Sequence, residues 1–449
     1  MNIKNLISTK RIALNIKYSL LLGMLLVVAG YLGLNYEIGV FKKLLIIVLL
    51  ILAVINGRSH FFTKISTNLF LVVFSITLCF VVVDSILRVT YSLKLYYRPQ
   101  EMFGNRMPEY PMLSRYDKNI DYEGNTYGDL AAMSGIVEYK EERNIRFQTD
   151  EKGFRNSKNQ QNKNNQIIVT GDSFGVGTGT HQDSTLVGYL SKDFEVYNIS
   201  QPGNPVQELA NLVLEFEAVT HVEKPIVLWL LFSGNDLPND IRPMDSLCVD
   251  WMKKGELKQH KSGMLRMLTT KVSTYFARSP IKQLLGRIST TQENGHTDYV
   301  RLRDLPNGQR VYFFQRYVES AQLTETQIKK QAGYQTLKKT FSVARAFAEE
   351  IGVTFKVVLI PTKYEVYSWL YDGTPAWSDS LELSGFSKTL TDIFNDLGMD
   401  FKDSKPFMVD YAKKYYQEQN KLLYWRDDTH FNSEGHKALS EFVKVNLKE

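Results

Sequence analysis

The chain has 449 residues, 44% hydrophobic and 23% charged, which excludes a disordered polypeptide and leaves room for two or three folded units. Its formal charge is +6, but Lys and Arg alternate with Asp and Glu and form no dense basic block, so composition argues against a nucleic-acid partner. Two cysteines, Cys79 inside an apolar run and Cys248 far beyond it, allow no disulfide within the polar part and fix no redox compartment.

The long apolar runs lie in the first hundred residues. Residues 18–34 ("YSLLLGMLLVVAGYLGL") form an uncharged run of near-spanning length. Residues 44–55 ("LLIIVLLILAVI") are shorter and span only if Lys42 and Lys43 snorkel at their start. Residues 69–83 ("LFLVVFSITLCFVVV") are long enough if the helix continues past Asp84 and Arg88, which are four apart and can pair on one face. Gly30-Tyr31-Leu32-Gly33 makes a poor signal-peptidase site, so the first run is expected to stay in the protein. Three spans, with Lys4, Lys10, Arg11 and Lys17 in the cytoplasm, make residues 1–95 an anchor in the cytoplasmic membrane and put the rest on the periplasmic or extracellular side. Lys42 and Lys43 sit against that rule, and two spans would leave the rest cytoplasmic.

Residues 96–165 read as an accessory β-rich lead-in, with alternating pieces such as "NIRFQTDEKGFRN" (144–156), where Gly153 marks a turn, and a solvated loop at 158–166. From 166 to 449 apolar strands alternate with helices. Strands are expected at 166–170 ("QIIVT"), 196–199 ("VYNI"), 226–232 ("IVLWLLF") and 354–360 ("TFKVVLI"). Helices are expected at 205–219, 334–351 and 432–447, the last capped by Asn432 or Ser433. Continuously apolar strands alternating with helices indicate an α/β fold with a parallel sheet covered on both faces. An insertion at about 237–333, with a helix-like stretch at 263–288 and a loop at 290–298, is placed to cover a ligand crevice.

The stretch "VTGDSFGVGTG" (169–179) carries the chemistry. It lacks the Gly-Lys-Ser/Thr of a phosphate loop, and glycines at 171, 175, 177 and 179 are out of register for a dinucleotide fingerprint. The literal G-x-S-x-G match lacks the preceding strands and glycine-rich loop of an α/β-hydrolase. What remains is Ser173 at the carboxyl end of the first strand, its N–H at the mouth of a helix, or simply a capped turn. Further blocks follow in order. Gly203 in "SQPGNP" follows the second strand, Gly234 and Asn235 in "FSGND" follow the third, and an aspartate pair precedes His430 in "RDDTHFNSEGH".

Gly171-Asp172-Ser173, Gly203, Gly234-x-Asp236 around Asn235, and Asp427-x-x-His430 together resemble the SGNH, or GDSL, hydrolase superfamily. "TDEKGFRN", "VVLIPTKYEVY" and "DDTHFNSEGH" also resemble its membrane-anchored branch related to alginate-type O-acetyltransferases. The resemblance implies a flavodoxin-like sheet sandwiched by helices, with Ser173 as nucleophile and His430 as base. Asp427, three before the histidine, has the usual superfamily spacing for the orienting acid; Asp428, two before it, fits the acetyltransferase branch and stays open. The oxyanion would be met by the N–H groups of Ser173 and Gly203 and the side-chain amide of Asn235, with Asp172 and Gly234 in support.

The implied function is a membrane-anchored serine esterase or O-acyltransferase acting on O-acyl groups, acetyl foremost, of an envelope or secreted polysaccharide. The partners are then an acylated glycan, the bilayer and a membrane protein supplying acyl groups. The alternative is a non-catalytic glycan-binding or assembly subunit of the same fold. His181, His221, His296 and His436 lie outside the blocks and read as surface or helix residues. With no H-x-x-x-H or C-x-x-C pair, no metal or other cofactor is expected. Tyr424 and Trp425 suit core packing or a sugar ring, and Lys363 in "PTK" is placed to reach the crevice.

Overall fold

The computed structural model describes residues 71–72, 75, 78–88, 98–157, 164–220, 222–281, 299–374 and 382–448. The chain divides into two compact units, Met1–Ser92 with Leu268–Arg287, and Leu93–Met267 with Ile288–Glu449.

In the first unit the described residues from 71 to 88 are helical, and Arg88 Nε donates to Asp84 Oδ2 at 2.7 Å, the pair expected from their spacing. Ser279 also donates to the Asp84 carboxylate. Part of the insertion expected over the crevice therefore belongs with the apolar N-terminal segment instead. The expected spans at 18–34 and 44–55, and part of that at 69–83, lie outside the described residues; among the described residues no helix is long and apolar enough to cross a membrane.

The second unit opens with two antiparallel hairpins. One pairs β1 (Gly104–Arg106) with β2 (Ser114–Tyr116), and the other pairs β3 (Asp121–Thr126) with β4 (Arg143–Gln148), with helix α1 (Asp129–Ser134) between the last two strands. The expected β-rich lead-in and the turn at Gly153 (φ +83°) are both present. Next come β5 (Ile167–Gly171), α2 (Ser173–Val176), β6 (Val196–Asn198), α3 (Pro205–Val219), β7 (Ile226–Phe232), α4 (Pro243–Lys253) and α5 (Met264–Ala277), whose residues from Leu268 on belong to the first unit. The β8–β9 hairpin (Val300–Asp304 and Arg310–Phe314) and α6 (Gln315–Ala321) follow, then α7 (Tyr334–Ile351), β10 (Thr354–Ile360), α8 (Lys363–Val366), α9 (Gly385–Leu397), β11 (Asp400–Asp403), α10 (Lys405–Gln419) and α11 (Ser433–Asn446).

Five parallel strands form one sheet in the order β6-β5-β7-β10-β11, flanked by helices. Side chains alternate across it. Val227, Trp229 and Leu231 of β7 pack with α3, α7 and α9, while Leu228, Leu230 and Phe232 pack with α10 and α11. Both faces are dry, which is why the strand reads as an unbroken apolar run. β11 ("DFKD") was not foreseen because it is a half-buried edge strand with charges at three of its four positions. The chain order reverses beside β5, and the segments leaving β5, β6, β7 and β10 all emerge at the carboxyl rim, where α/β sheets open a crevice.

Candidate active site

Ser173 stands at that rim on a one-turn helix. Asp172 caps the turn, its Oδ1 accepting from Phe174 N at 2.8 Å, which is the backbone-holding role expected of it. A Cβ at Gly171 would come within 2.8 Å of Leu230 O, and one at Gly175 within 2.3 Å of Ser200 Oγ, so close strand and loop approach demands glycine at both. The later glycines serve another purpose. Gly177 (φ +74°) and Gly179 (φ +77°) bend the loop around the buried Arg155 guanidinium. Its nitrogens donate to Val176 O (3.0 Å), Gly177 O (2.6 Å), Thr180 O (2.7 Å), Arg146 O (3.1 Å) and Gln182 Oε1 (3.0 Å). The glycine-rich stretch thus cradles a cation from the lead-in, and burial pushes that arginine down to about 10.

Although 257 positions separate them, Ser173 Oγ and His430 Nε2 lie 2.8 Å apart. His430 Nδ1 lies 2.7 Å from Asp428 Oδ1. The histidine sits in the turn before α11, which Asn432 caps by accepting from Glu434 N and Gly435 N at 3.0 Å each. Phe174 packs 5.0 Å from the imidazole. Burial pulls the His430 pKa down, but Asp428 and Asp129 outweigh it and the net shift is upward. Asp428 is buried too, yet Arg98, His430 and Arg143 hold it well below the usual carboxylate range.

The spacing argument that favoured Asp427 is corrected here: it is Asp428 that meets the imidazole. Asp427 Oδ2 accepts from Gly128 N (2.8 Å) and Glu141 N (2.7 Å), Oδ1 from Arg143 Nη1 (3.1 Å), and its carbonyl from Leu130 N (3.1 Å). A Cβ at Gly128 would fall 1.8 Å from that carbonyl. Asp427 is therefore spent on fastening the lead-in to the histidine loop.

Three lead-in residues at the site were not found from the sequence. Arg98 Nη1 lies 3.3 Å from Asp428 Oδ2, and Arg143 binds the same oxygen while stacking 4.4 Å over Trp425. Asp129 accepts from Thr429 N (2.8 Å) and Thr429 Oγ1 (2.6 Å) and stands 3.7 Å from His430 Nδ1. Burial, with Asp428 next, raises Asp129 to about 6. Trp425 and Tyr424 are packing residues; the Tyr424 hydroxyl donates to Pro361 O at 2.6 Å. Ligand atoms of Asp129, Asp428 and His430 lie within 4.8 Å of one another, a spacing a metal could use. Two guanidiniums already neutralise Asp428, so this donor set suits a proton relay better than a cation.

On the other side of Ser173, Gly203 lies in the turn after β6 and Asn235 in the turn after β7. Asn235 stands beside Asp172 and partly offsets the burial that raises the Asp172 pKa, while its Oδ1 is buried with no hydrogen-bond partner among the described residues. A Cβ at Gly234 would meet the Phe232 ring at 2.4 Å and Tyr317 at 3.1 Å. Tyr317, on α6, packs 5.3 Å from Phe232, and burial followed by the Asp129 and Asp172 charges pushes its phenol up. This part of the insertion packs against the end of β7 beside Gly234. Below, Asp236 Oδ2 accepts from Phe232 N at 2.6 Å and Glu208 Oε2 from Trp229 Nε1 at 2.7 Å; burial raises both acids well above the usual range.

Lys363 does not present its amine to the crevice. The buried ammonium donates to Trp425 O (2.8 Å), Tyr312 O (3.0 Å) and Arg426 O (3.2 Å), tying β9 to the segment before the aspartates, and burial pushes its pKa down to about 8. His436 is buried beside Phe431 and pushed down to about 3 by burial, so it is neutral and structural; His181 is half-exposed at a short helix start. His221 and His296 lie outside the described residues.

No protein-family model matches this chain, and no curated protein matches it at a significant level.

Proposed function

We propose that this chain is a membrane-anchored serine esterase or O-acyltransferase that works through an acyl-Ser173 intermediate on O-acyl groups, acetyl foremost, of an envelope or secreted polysaccharide. The carrying observation is the unbroken relay of Ser173 Oγ, His430 and Asp428, at 2.8 Å and 2.7 Å. The strand order, with β5 and β6 at one side and β7, β10 and β11 at the other, is the doubly-wound order in which a crevice opens beside β5, and it supports an SGNH-type reading.

In this reading His430 Nε2 takes the Ser173 proton as Oγ bonds to the acyl carbon. The N–H groups of Ser173 and Gly203 and the side-chain amide of Asn235 receive the oxyanion. The ester C–O bond then breaks, and the leaving alkoxide takes the proton from His430. Water or a sugar hydroxyl next gives its proton to His430 and attacks the acyl-enzyme; Oγ leaves and recovers the proton. Attack by water is esterase action, and attack by a sugar is transfer.

The test uses the full chain in detergent. Release of p-nitrophenol from p-nitrophenyl acetate is compared for the wild type and Ser173→Ala, and a fluorophosphonate probe is mapped to its peptide. Equal rates, or a label on another residue, refute the proposal.

A further inference from the structure

Helix α5 carries its apolar residues outward. Met264, Leu265 and Leu268, three and four positions apart and so on one face, are 87%, 76% and 58% exposed. Thr270, about 200° around the helix from Leu268, is buried. A helix that lies between a protein core and water does the reverse, burying its apolar stripe and exposing polar residues. A bare stripe of this kind marks a surface that something else covers.

Charge and length say what covers it. From Lys253 to Arg278 the chain carries seven Lys and Arg against one acidic residue, Glu256. Glu256 lies 3.5 Å from His260, and Lys258 is paired with Glu217 at 3.1 Å. Lys253, Lys254, Lys261, Arg266 and Lys271 are all exposed. An apolar stripe flanked by exposed cations complements the acyl chains and phosphates of an anionic bilayer. A second copy of the chain is a poorer match, because a two-fold contact would set the same cations against each other. With 14 residues, or ~21 Å, α5 is too short to cross a hydrocarbon core of ~30 Å and can only lie along its surface.

The first unit adds an independent observation. Residues from Leu268 to Arg287 group with the apolar segment Met1–Ser92. Within that unit the buried Ser279 donates to the buried Asp84, at the carboxyl end of a helix on which Leu71, Val72, Leu78, Val82 and Ile86 are about half exposed. The segment that follows Leu268 is thus pinned through a polar contact to a helix whose own apolar side chains are bare.

We infer that α5 lies in the headgroup layer of an anionic bilayer, with Met264, Leu265 and Leu268 among the acyl chains and Lys261 and Lys271 at the lipid phosphates. The contact needs no chemistry at Ser173; it rests on the membrane-anchored reading for its bilayer.

The full chain with Cys79→Ala and Cys248→Ala is given an NBD fluorophore at Leu265→Cys or, as control, at Val445→Cys, an exposed position on α11. It is reconstituted in vesicles of phosphatidylglycerol and phosphatidylcholine, with and without phosphatidylcholine carrying a doxyl quencher near the head of its acyl chain. The Leu265 label is expected to shift to the blue and to be quenched at least twofold by the doxyl lipid, and the Val445 label to do neither. Leu268→Cys repeats the measurement at a second exposed position. Lys261→Glu with Lys271→Glu is expected to lower the quenching at least twofold and to leave the thermal unfolding temperature unchanged. Flotation of the vesicles reports the anchor separately. A chain that floats with its α5 labels neither shifted nor quenched keeps its anchor and overturns this contact; a chain that does not float overturns both. Equal quenching in the charge-reversed chain overturns the anionic-lipid assignment. A shifted label that the doxyl lipid fails to quench marks a protein neighbour, a second copy included, and overturns it as well.

Discussion

Asp427 and Asp428, adjacent in the chain, are turned to opposite tasks: Asp428 Oδ1 meets His430 Nδ1 at 2.7 Å, while Asp427 Oδ2 receives the Gly128 and Glu141 amides at 2.8 and 2.7 Å. The two positions should therefore fail differently. Asp428→Asn leaves the imidazole without an anionic partner at Nδ1 and is expected to lower kcat on p-nitrophenyl acetate by on the order of 10³–10⁴. Asp427→Asn sets an amide N–H against Arg143 and is expected to cost about 2–4 kcal/mol of stability, with a smaller loss in kcat. Thermal unfolding and steady-state rates on both variants check this. A larger kcat loss for the Asp427 variant would reverse the assignment.

The same pair sets the pH response. Because its raised folded pKa lies above the ordinary 6.5, His430 contributes stability in full below pH 6.5 and loses it as pH rises through the folded value. Asp428, depressed well below 3.8, contributes stability above that value and loses it as pH falls through its folded pKa. Catalysis needs neutral His430, so the acid limb of kcat/KM should lie above pH 6.5. Arg98 opposes the upward shift, so Arg98→Gln should move that limb to still higher pH, while Arg98→Lys should leave it near the wild-type position. A limb that stays put in Arg98→Gln would show that the guanidinium does not act on the relay.

The sheet was legible because β7 and most of β5 are buried apolar runs and β10 is one over its last four residues, whereas β11 is an edge strand whose charged residues hid it. Ser173, His430 and Asn235 were legible because each stands directly after a strand or before a helix cap, where short motifs survive. Arg98, Asp129, Arg143 and Arg155 were not. Each comes from irregular or hairpin sequence, and its partner lies in a distant segment, as with Asp428, 330 positions from Arg98. The choice between two adjacent carboxylates depended on which way the loop turned, and spacing alone does not encode that.

Asn235 offers a separate test of the other half of the site. Its amide lies beside Asp172 in the turn after β7, so Asn235→Ala removes a donor to the oxyanion and should lower kcat by about 10²–10³ with little change in KM. Asn235→Asp replaces the donor with a carboxylate facing the developing oxyanion and should be at least as impaired. Matching losses in kcat/KM, with KM constant, identify a transition-state contact; a rise in KM alone would make Asn235 a ground-state binding residue instead.

Lys363 carries the last prediction. Its ammonium is the shared donor for the carbonyls of Tyr312, Trp425 and Arg426, and so joins the β8–β9 hairpin to the backbone just ahead of the aspartate pair. Lys363→Met keeps the stem but leaves these carbonyls without that donor, at about 1–3 kcal/mol for each buried group left unsatisfied. The variant should unfold at a markedly lower temperature. Because the loop it braces positions Asp428 and His430, fluorophosphonate labelling of Ser173 should slow even at temperatures where the protein remains folded. Unchanged labelling with lowered thermal stability would confine Lys363 to holding the fold and exclude it from setting the relay.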